Sequence, residues 1–270
     1  GDLLAKQAAL SNPEIFEPWE RDRGSKPLRT VESGDPLLNL QFTKSLPIGE
    51  KDASGRLITG TECMHLETHQ GMLFATLSGW NHDRKRAPWP GPSVVVKRSV
   101  DSAWEVEKSF GERGGRAGSL RSVKFTSDAS GKSLDAPVSL LMCGVGGPLE
   151  PGKVLVWVRD DTTGNWIKTI AGEHTGWGSP EVRVIFDHVD KVTGVHHVFA
   201  AASNGMLFRG AYDAGATGGI SWETSPEWAG RQRRFMAAAE VHGSIYITVD
   251  LEPTEPENGG FFRRLDGPDP

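Results

Sequence analysis

A set of four short apolar runs recurs along the chain at a nearly constant interval, and this recurrence constrains the fold more than any other feature. The first run of each set starts at residues 64, 120, 182 and 235, so successive sets begin 56, 62 and 53 residues apart. Each run is bounded by Gly, Pro or Asp, which is typical of β-strands separated by turns. We therefore expect an all-β fold built from about four similar units of four strands.

A tryptophan marks the turn between the third and fourth runs of each of the first three units. Trp104, Trp166 and Trp222 occupy this place, 62 and 56 residues apart. The chain also has 33 glycines and 17 prolines among its 270 residues, which indicates many turns and little helix. Together these features favour a β-propeller with about four four-stranded blades. A β-sandwich would show turns every ~8–12 residues without the longer period.

Two of these turns resemble degenerate Asp boxes, the Ser-x-Asp-x-Gly-x-x-Trp turns of sialidases and other propellers. Residues 99–104 read Ser-Val-Asp-Ser-Ala-Trp and lack the glycine, whereas residues 161–166 read Asp-Thr-Thr-Gly-Asn-Trp and have it shifted. The resemblance covers two or three turns, and it implies the fold without implying sialidase activity. In such turns the Asp accepts backbone N–H bonds and the Trp packs between blades, so both roles are structural.

The pattern predicts an extended N-terminal arm at residues 1–33 and propeller blades at residues 34–270, the last blade being incomplete. A ring of seven blades would need roughly 400 residues at this period. An open arc of four blades would expose apolar faces, so we expect a missing C-terminal half, a second chain or a symmetry mate to complete the ring. A closed four-bladed ring is the alternative.

Charge and composition exclude several classes of protein. The formal net charge of -5 argues against a dedicated nucleic-acid binder, and no stretch approaches the ~18 apolar residues of a membrane-spanning helix. Cys63 and Cys143 are too few for a disulfide framework; we expect two buried thiols, with a single bridge as the alternative. The first ten residues are not a signal peptide, but a mature exported chain would look the same after processing, so the compartment stays open. Of the compartments, a secreted or periplasmic location is favoured.

Alternating strand direction places the starts of all first strands on one face of a propeller. Glu62, Arg121, Arg183 and Arg234 are predicted to lie beside these starts. Converging arginines need an anion or acidic partners, because like charges repel. They either pair with neighbouring carboxylates (Glu62, Glu181 and Glu240 are the candidates) or bind a ligand that carries a carboxylate.

A long loop at residues 79–91 is predicted to lie on the same face. Its tryptophans suit sugar rings, which stack on flat aromatic surfaces, although the loop could instead pack on the neighbouring blade. The loop before the third unit adds another Trp. The predicted substrate-binding residues are Glu62, Trp80, Arg84, Trp89, Trp177, Arg183 and Arg234.

The general look of the chain is similar to propeller-fold polysaccharide lyases and glycosidases, the lyases of the rhamnose–glucuronate type in particular. That resemblance implies β-elimination at a uronic-acid linkage in an acidic oligo- or polysaccharide, with His65 or His82 as the base and Arg121 and Arg183 neutralising the carboxylate. A glycoside hydrolase and a non-catalytic carbohydrate- or protein-binding propeller are the alternatives. The acidic loop at residues 252–258 could hold Ca²⁺ through its carboxylates or be an ordinary solvated loop.

Overall fold

The computed structural model describes residues 45–79, 92–111, 115–147, 150–174, 180–229, 234–250 and 260–267. The chain divides into two compact units, Gly1–Ser45 and Leu46–Pro270, and nearly all described residues belong to the second. The predicted arm at residues 1–33 lies outside the described residues. Among those described, no helix has the length and apolarity needed to cross a membrane.

The described residues form sixteen strands in four antiparallel sheets, which confirms the all-β prediction. Sheet I contains β1 (Glu62–His69), β2 (Met72–Ser78), β3 (Val94–Arg98) and β4 (Glu105–Ser109). Sheet II contains β5 (Arg116–Ser127), β6 (Ser133–Gly146), β7 (Lys153–Arg159) and β8 (Trp166–Glu173). In both sheets the strands pair in chain order.

Sheets III and IV follow the same order. Sheet III contains β9 (Val182–Val189), β10 (His196–Ala202), β11 (Met206–Tyr212) and β12 (Ile220–Trp222), and β13 (Trp228–Ala229) also pairs with β11. A 3-10 turn, Thr217–Gly219, precedes β12. Sheet IV contains β14 (Phe235–Val241), β15 (Ser244–Val249) and β16 (Gly260–Arg263).

The inner strands of sheets I, II and III are apolar on both faces because both faces are covered. In β2, Phe74 packs toward sheet II, whereas Ala75 and Leu77 pack on the opposite side. The sequence of such a strand therefore reads as a continuous apolar run. The β1–β2 hairpin turns through Gln70 and Gly71, whose φ angles of 49° and 75° are those of the tight turns that match strand twist.

The core consists of layers between successive sheets. One layer lies between sheets I and II, a second between II and III, and a third between III and IV. The first strands contact one another in sequence, β1 with β5, β5 with β9 and β9 with β14. Two of the turn tryptophans lie in or against these layers: Trp166 is buried between sheets I and II, and Trp222 packs against the layer between sheets II and III. Trp104 is also buried, but on the outer face of sheet I.

The two outermost sheets differ in how their outer faces are covered. Residues 46–58 lie over the outer face of sheet I, where Ile58 is fully buried and the Asp52 carboxylate accepts a hydrogen bond from the Val106 N–H at 3.0 Å. On the outer face of sheet IV, Val241 and Phe261 are 48% and 69% exposed. The chain thus covers one end of the stack, and within the described residues it leaves these apolar side chains at the other end in solvent.

Candidate functional site

The structure places three of the four predicted strand-start residues at the starts of first strands. Glu62 begins β1, Arg183 is the second residue of β9, and Arg234 immediately precedes β14. Strand β5 begins at Arg116, four residues before the predicted start, so Arg121 lies inside the strand. The residue of β5 at the predicted kind of position is therefore Arg116, which the sequence analysis did not select.

Arg116 joins the starts of three first strands through its guanidinium. Its Nη2 donates to Glu62 Oε1 at 2.9 Å, and its Nη1 donates to Glu181 Oε2 at 3.1 Å. Arg183 reaches the same Glu181 oxygen at 3.4 Å. We call Glu62, His65, Arg116, Glu181 and Arg183 the strand-start cluster.

His65 lies close to the start of β5 because β1 and β5 run next to each other. Its ring hydrogen-bonds to the backbone of Gly118, and Arg116 Nη2 lies 3.9 Å from the sulfur of the preceding residue, Met64. Burial lowers the pKa of His65 below its ordinary value, while the bond to Gly118 opposes this shift. The imidazole is therefore neutral at neutral pH and able to accept a proton.

The other two predicted arginines, Arg121 and Arg234, are paired with carboxylates outside the strand-start cluster. Arg121 donates from Nε and Nη2 to Asp187 Oδ1 at 3.1 and 2.8 Å, and Arg234 donates from Nε to Asp250 Oδ2 at 2.8 Å. Each arginine thus pairs with a carboxylate, as in the pairing alternative, but the partners are Asp187 and Asp250 and none of the predicted glutamates. Of the three predicted arginines, only Arg183 belongs to the strand-start cluster, together with Arg116.

Several predicted residues lie outside the described part of the chain. They are Trp80, His82, Arg84, Trp89 and Trp177, together with the acidic loop at residues 252–258. Among the described residues, no three His, Cys, Asp or Glu side chains are grouped to hold a metal ion. Cys143 is buried as expected, whereas Cys63 is exposed, and both thiols are free.

A second polar cluster occurs at the opposite end of β1. His69 Nδ1 lies 2.8 Å from Ser122 Oγ, and His69 Nε2 lies 2.9 Å from Asp161 Oδ2. His69 is buried against Phe74, with ring centroids 6.2 Å apart. We call His69, Ser122 and Asp161 the His69 clasp, because it joins sheet I to sheet II.

The same arrangement recurs between sheets III and IV. His188 Nδ1 lies 2.8 Å from Glu240 Oε2, and His188 Nε2 lies 2.8 Å from Asp266 Oδ1. These residues form the His188 clasp. In both clasps the histidine belongs to one first strand, one partner belongs to the next first strand, and the Asp follows a third strand. The partner on the first strand differs: Ser122 in one and Glu240 in the other.

Matching arginines support the two clasps. Arg159 donates to Asp161 Oδ1 and to Glu107 Oε1, both at 2.7 Å, and its guanidinium lies over the ring of Phe74. Arg264 contacts Asp266 Oδ1 at 3.4 Å and Glu227 Oε1 at 2.7 Å, and it lies over the ring of Phe199. The two-sheet unit is therefore repeated in its side chains as well as in its strands.

Sequence reasoning missed both clasps because in each the Asp lies beyond the end of a strand and the histidine stands near the end of a strand, beside a hairpin turn. His69 reads as an ordinary hairpin residue, and Asp161 reads as the Asp of an Asp box. In the structure the adjacent Asp160 tightens that turn, accepting bonds from the Thr162 N–H and the Thr163 hydroxyl. The available signal was the repeat itself, since a His occurs near the end of both β1 and β9 and an Asp follows an Arg by two residues after both β7 and β16.

Comparison with family models and with curated proteins gives no match from which a function could be transferred to this chain. The strand-start cluster and the two clasps are therefore the features from which a function has to be argued.

Proposed function

We propose that the four sheets are consecutive blades of a β-propeller. Chain-order pairing within each sheet supports this arrangement, as do the successive contacts among β1, β5, β9 and β14. In a propeller the first strands surround the central channel, so the strand-start cluster would lie at one mouth of that channel.

We further propose that the protein is a carbohydrate-active enzyme that cleaves a uronic-acid linkage by β-elimination at this mouth. The observation that carries the proposal is that the neutral His65 ring of β1 hydrogen-bonds to the backbone of Gly118, which lies two residues from Arg116 on the adjoining strand β5. β-Elimination needs a base for the proton next to the carboxylate and a cation that stabilises the carboxylate as charge develops. Arg116 takes the second role in place of Arg121.

The residues of the cluster have distinct roles in this reaction. Arg116 and Arg183 bind the uronate carboxylate, while Glu62 and Glu181 hold the two guanidinium groups in place. His65 removes the proton from the carbon next to the carboxylate. The C–H electron pair forms the new C=C bond, the glycosidic C–O bond breaks, and the departing oxygen takes a proton from water.

The two carboxylates support glycoside hydrolysis as a second candidate. Glu62 and Glu181 flank one guanidinium, and paired carboxylates that share a site are the groups used for acid–base hydrolysis of a glycosidic bond. In that reaction one acts as the acid and the other as base or nucleophile, and no unsaturated sugar is formed.

Incubation with a panel of uronate-containing and neutral polysaccharides tests these proposals. An absorbing unsaturated product that is lost in His65→Ala, but not in the exposed-histidine control His242→Asn, supports β-elimination. New reducing ends without unsaturation, lost in Glu181→Gln, would replace it with hydrolysis. Binding on a glycan array without any turnover would leave a carbohydrate-binding propeller.

We also propose that a further β-sheet covers the outer face of sheet IV. Val123 and Val241 each directly follow the first-strand residue of a clasp, yet Val123 is fully buried against sheet III whereas Val241 is 48% exposed. Val156 and Phe261 each stand three residues before a clasp arginine, and they show the same contrast. A missing half of a longer protein, a second chain or a symmetry mate could supply such a sheet.

A further inference from the structure

The His69 clasp has the hydrogen-bond pattern of an activated serine. The Asp161 carboxylate can only accept, so His69 Nε2 carries the proton that it shares with Asp161. In the neutral ring the other nitrogen, Nδ1, is then an acceptor, and the Ser122 hydroxyl donates to it at 2.8 Å. This leaves a serine next to a base that a carboxylate orients, which is the arrangement of nucleophilic catalysis.

The His188 clasp shows what the same position looks like when it only joins two sheets. Both ring nitrogens of His188 face carboxylate oxygens, so neither nitrogen faces a hydroxyl from which it could take a proton. That clasp contains neither a nucleophilic hydroxyl nor a nitrogen placed to deprotonate one. The single difference on the first strand, a hydroxyl at Ser122 in place of the carboxylate at Glu240, supplies both to the His69 clasp.

A pocket opens directly on the serine and the histidine. Its volume is about 330 Å³, and its lining includes His69, Gln70, Gly71, Ser122 and Ser139. The lining is mostly small and polar, which suits a compact acyl group rather than a long apolar chain. The Ser139 hydroxyl is a hydrogen-bond donor at this wall.

We propose that Ser122, His69 and Asp161 form a second active site, which hydrolyses small acyl esters such as acetyl esters. Ser122 Oγ attacks the carbonyl carbon while its proton moves to His69 Nδ1, and the tetrahedral intermediate collapses as the C–O bond to the alcohol breaks. The alcohol takes the proton from His69. Water, deprotonated by the same nitrogen, then releases the acid and restores Ser122.

The site differs from the strand-start cluster, so the two proposals succeed or fail separately. Arg159 acts as a positioning residue, because its bond to Asp161 fixes the carboxylate that orients His69. No residue of the strand-start cluster takes part in the step.

Labelling with a fluorophosphonate and hydrolysis of p-nitrophenyl acetate test this site in the full chain. We expect a covalent adduct on the peptide that contains Ser122, and an at least tenfold loss of labelling and of esterase rate in Ser122→Ala. Ser221→Ala, which changes an exposed serine in β12, should behave as the parent protein. Absence of an adduct, or equal labelling in Ser122→Ala, would overturn the proposal.

A second variant separates catalysis from folding. Ser122→Glu copies the His188 clasp, so the variant should stay folded, with an unchanged circular dichroism spectrum, while labelling and esterase activity disappear. Esterase activity that persists in folded Ser122→Glu would assign the hydrolysis to another group and refute the role of Ser122.

Discussion

At the scale of single residues, the charged side chains between the sheets are stabilised by oppositely charged neighbours. Arg116 is 17% exposed and holds two carboxylates from different first strands. Glu181 is 11% exposed and depends on Arg116 and Arg183 for compensation. A partly buried ion pair contributes little more to folding stability than an apolar contact would. Removal of one partner is nevertheless destabilising, because it leaves a buried charge without compensation.

Arg116→Met should therefore lower the free energy of unfolding by about 3 kcal/mol, because Glu181 loses its closer cation. Urea denaturation at neutral pH measures the change. The double variant Arg116→Met with Glu181→Gln should recover part of the loss, since it removes the remaining buried charge. Equal destabilisation in the single and double variants would show that packing of the Arg116 stem, and not charge, is what matters.

His197 makes stability depend on pH in a defined window. Burial, together with the charges of Arg209 and Arg264, lowers its pKa to about 4 from an ordinary 6.5. The unfolded chain therefore binds a proton between pH 6.5 and about 4 that the folded chain does not. Stability from this group is complete above pH 6.5 and falls, by up to about 3 kcal/mol, as the pH drops to 4.

Urea denaturation at pH 7.5 and pH 4.5 checks this prediction by comparison with two variants. His197→Asn should lose the part of the pH dependence that lies in this window, whereas His242→Asn, in an exposed turn, should retain it. The carboxyl groups of Asp187 and Asp190 have pKa values below the ordinary 3.8, so the stability they contribute is lost only when the pH falls below this window. Parallel curves for the parent and His197→Asn would contradict the assignment.

At the scale of elements, the order of strands was predictable but the start of β5 was not. Four-strand sets separated by turn residues are visible as a period, because each set repeats the same turn chemistry. Gly118, near the start of β5, reads as a turn residue in the sequence. In the structure it lies in the extended strand β5, and an added Cβ would lie 2.6 Å from Glu181 Oε1, so the glycine permits a close approach. This long-range contact, which the sequence does not reveal, hid Arg116 from the sequence analysis.

The same contact predicts the effect of a side chain at the end of β6. A Cβ at Gly146 would lie 2.2 Å from the Cα of Glu181, so Gly146→Ala must displace the backbone of that residue. We expect a loss of about 2–3 kcal/mol in the free energy of unfolding, and weaker binding of the proposed uronate substrate at the strand-start cluster. The exposed Gly215→Ala, whose added Cβ has only one neighbour at 3.4 Å, is the matched control. An unchanged urea midpoint in Gly146→Ala would contradict the packing argument.

At the scale of the whole molecule, the stack of sheets is asymmetric in its coverage. The segment at residues 46–58 buries the outer face of sheet I, whereas Val241 and Phe261 remain exposed on sheet IV. Apolar side chains grouped on a sheet face are typical of surfaces that pack against another sheet. The period of the sequence predicted such a surface, but the covering of sheet I by the preceding segment depends on contacts across unrelated turns and could not be predicted from it.

If a further sheet covers this face, charges placed there should prevent association without unfolding the blade. Val241→Glu with Phe261→Glu should abolish any self-association, or binding of a separately expressed partner, at an unchanged melting temperature, because both side chains already face water in the isolated unit. Sedimentation velocity measures the association. Val192→Glu is the matched control, since Val192 is 68% exposed but lies in a hairpin turn of sheet III, away from this face. If the control and the double variant associate equally, the outer face of sheet IV is an ordinary solvent-facing surface, and the arc of sheets needs no partner.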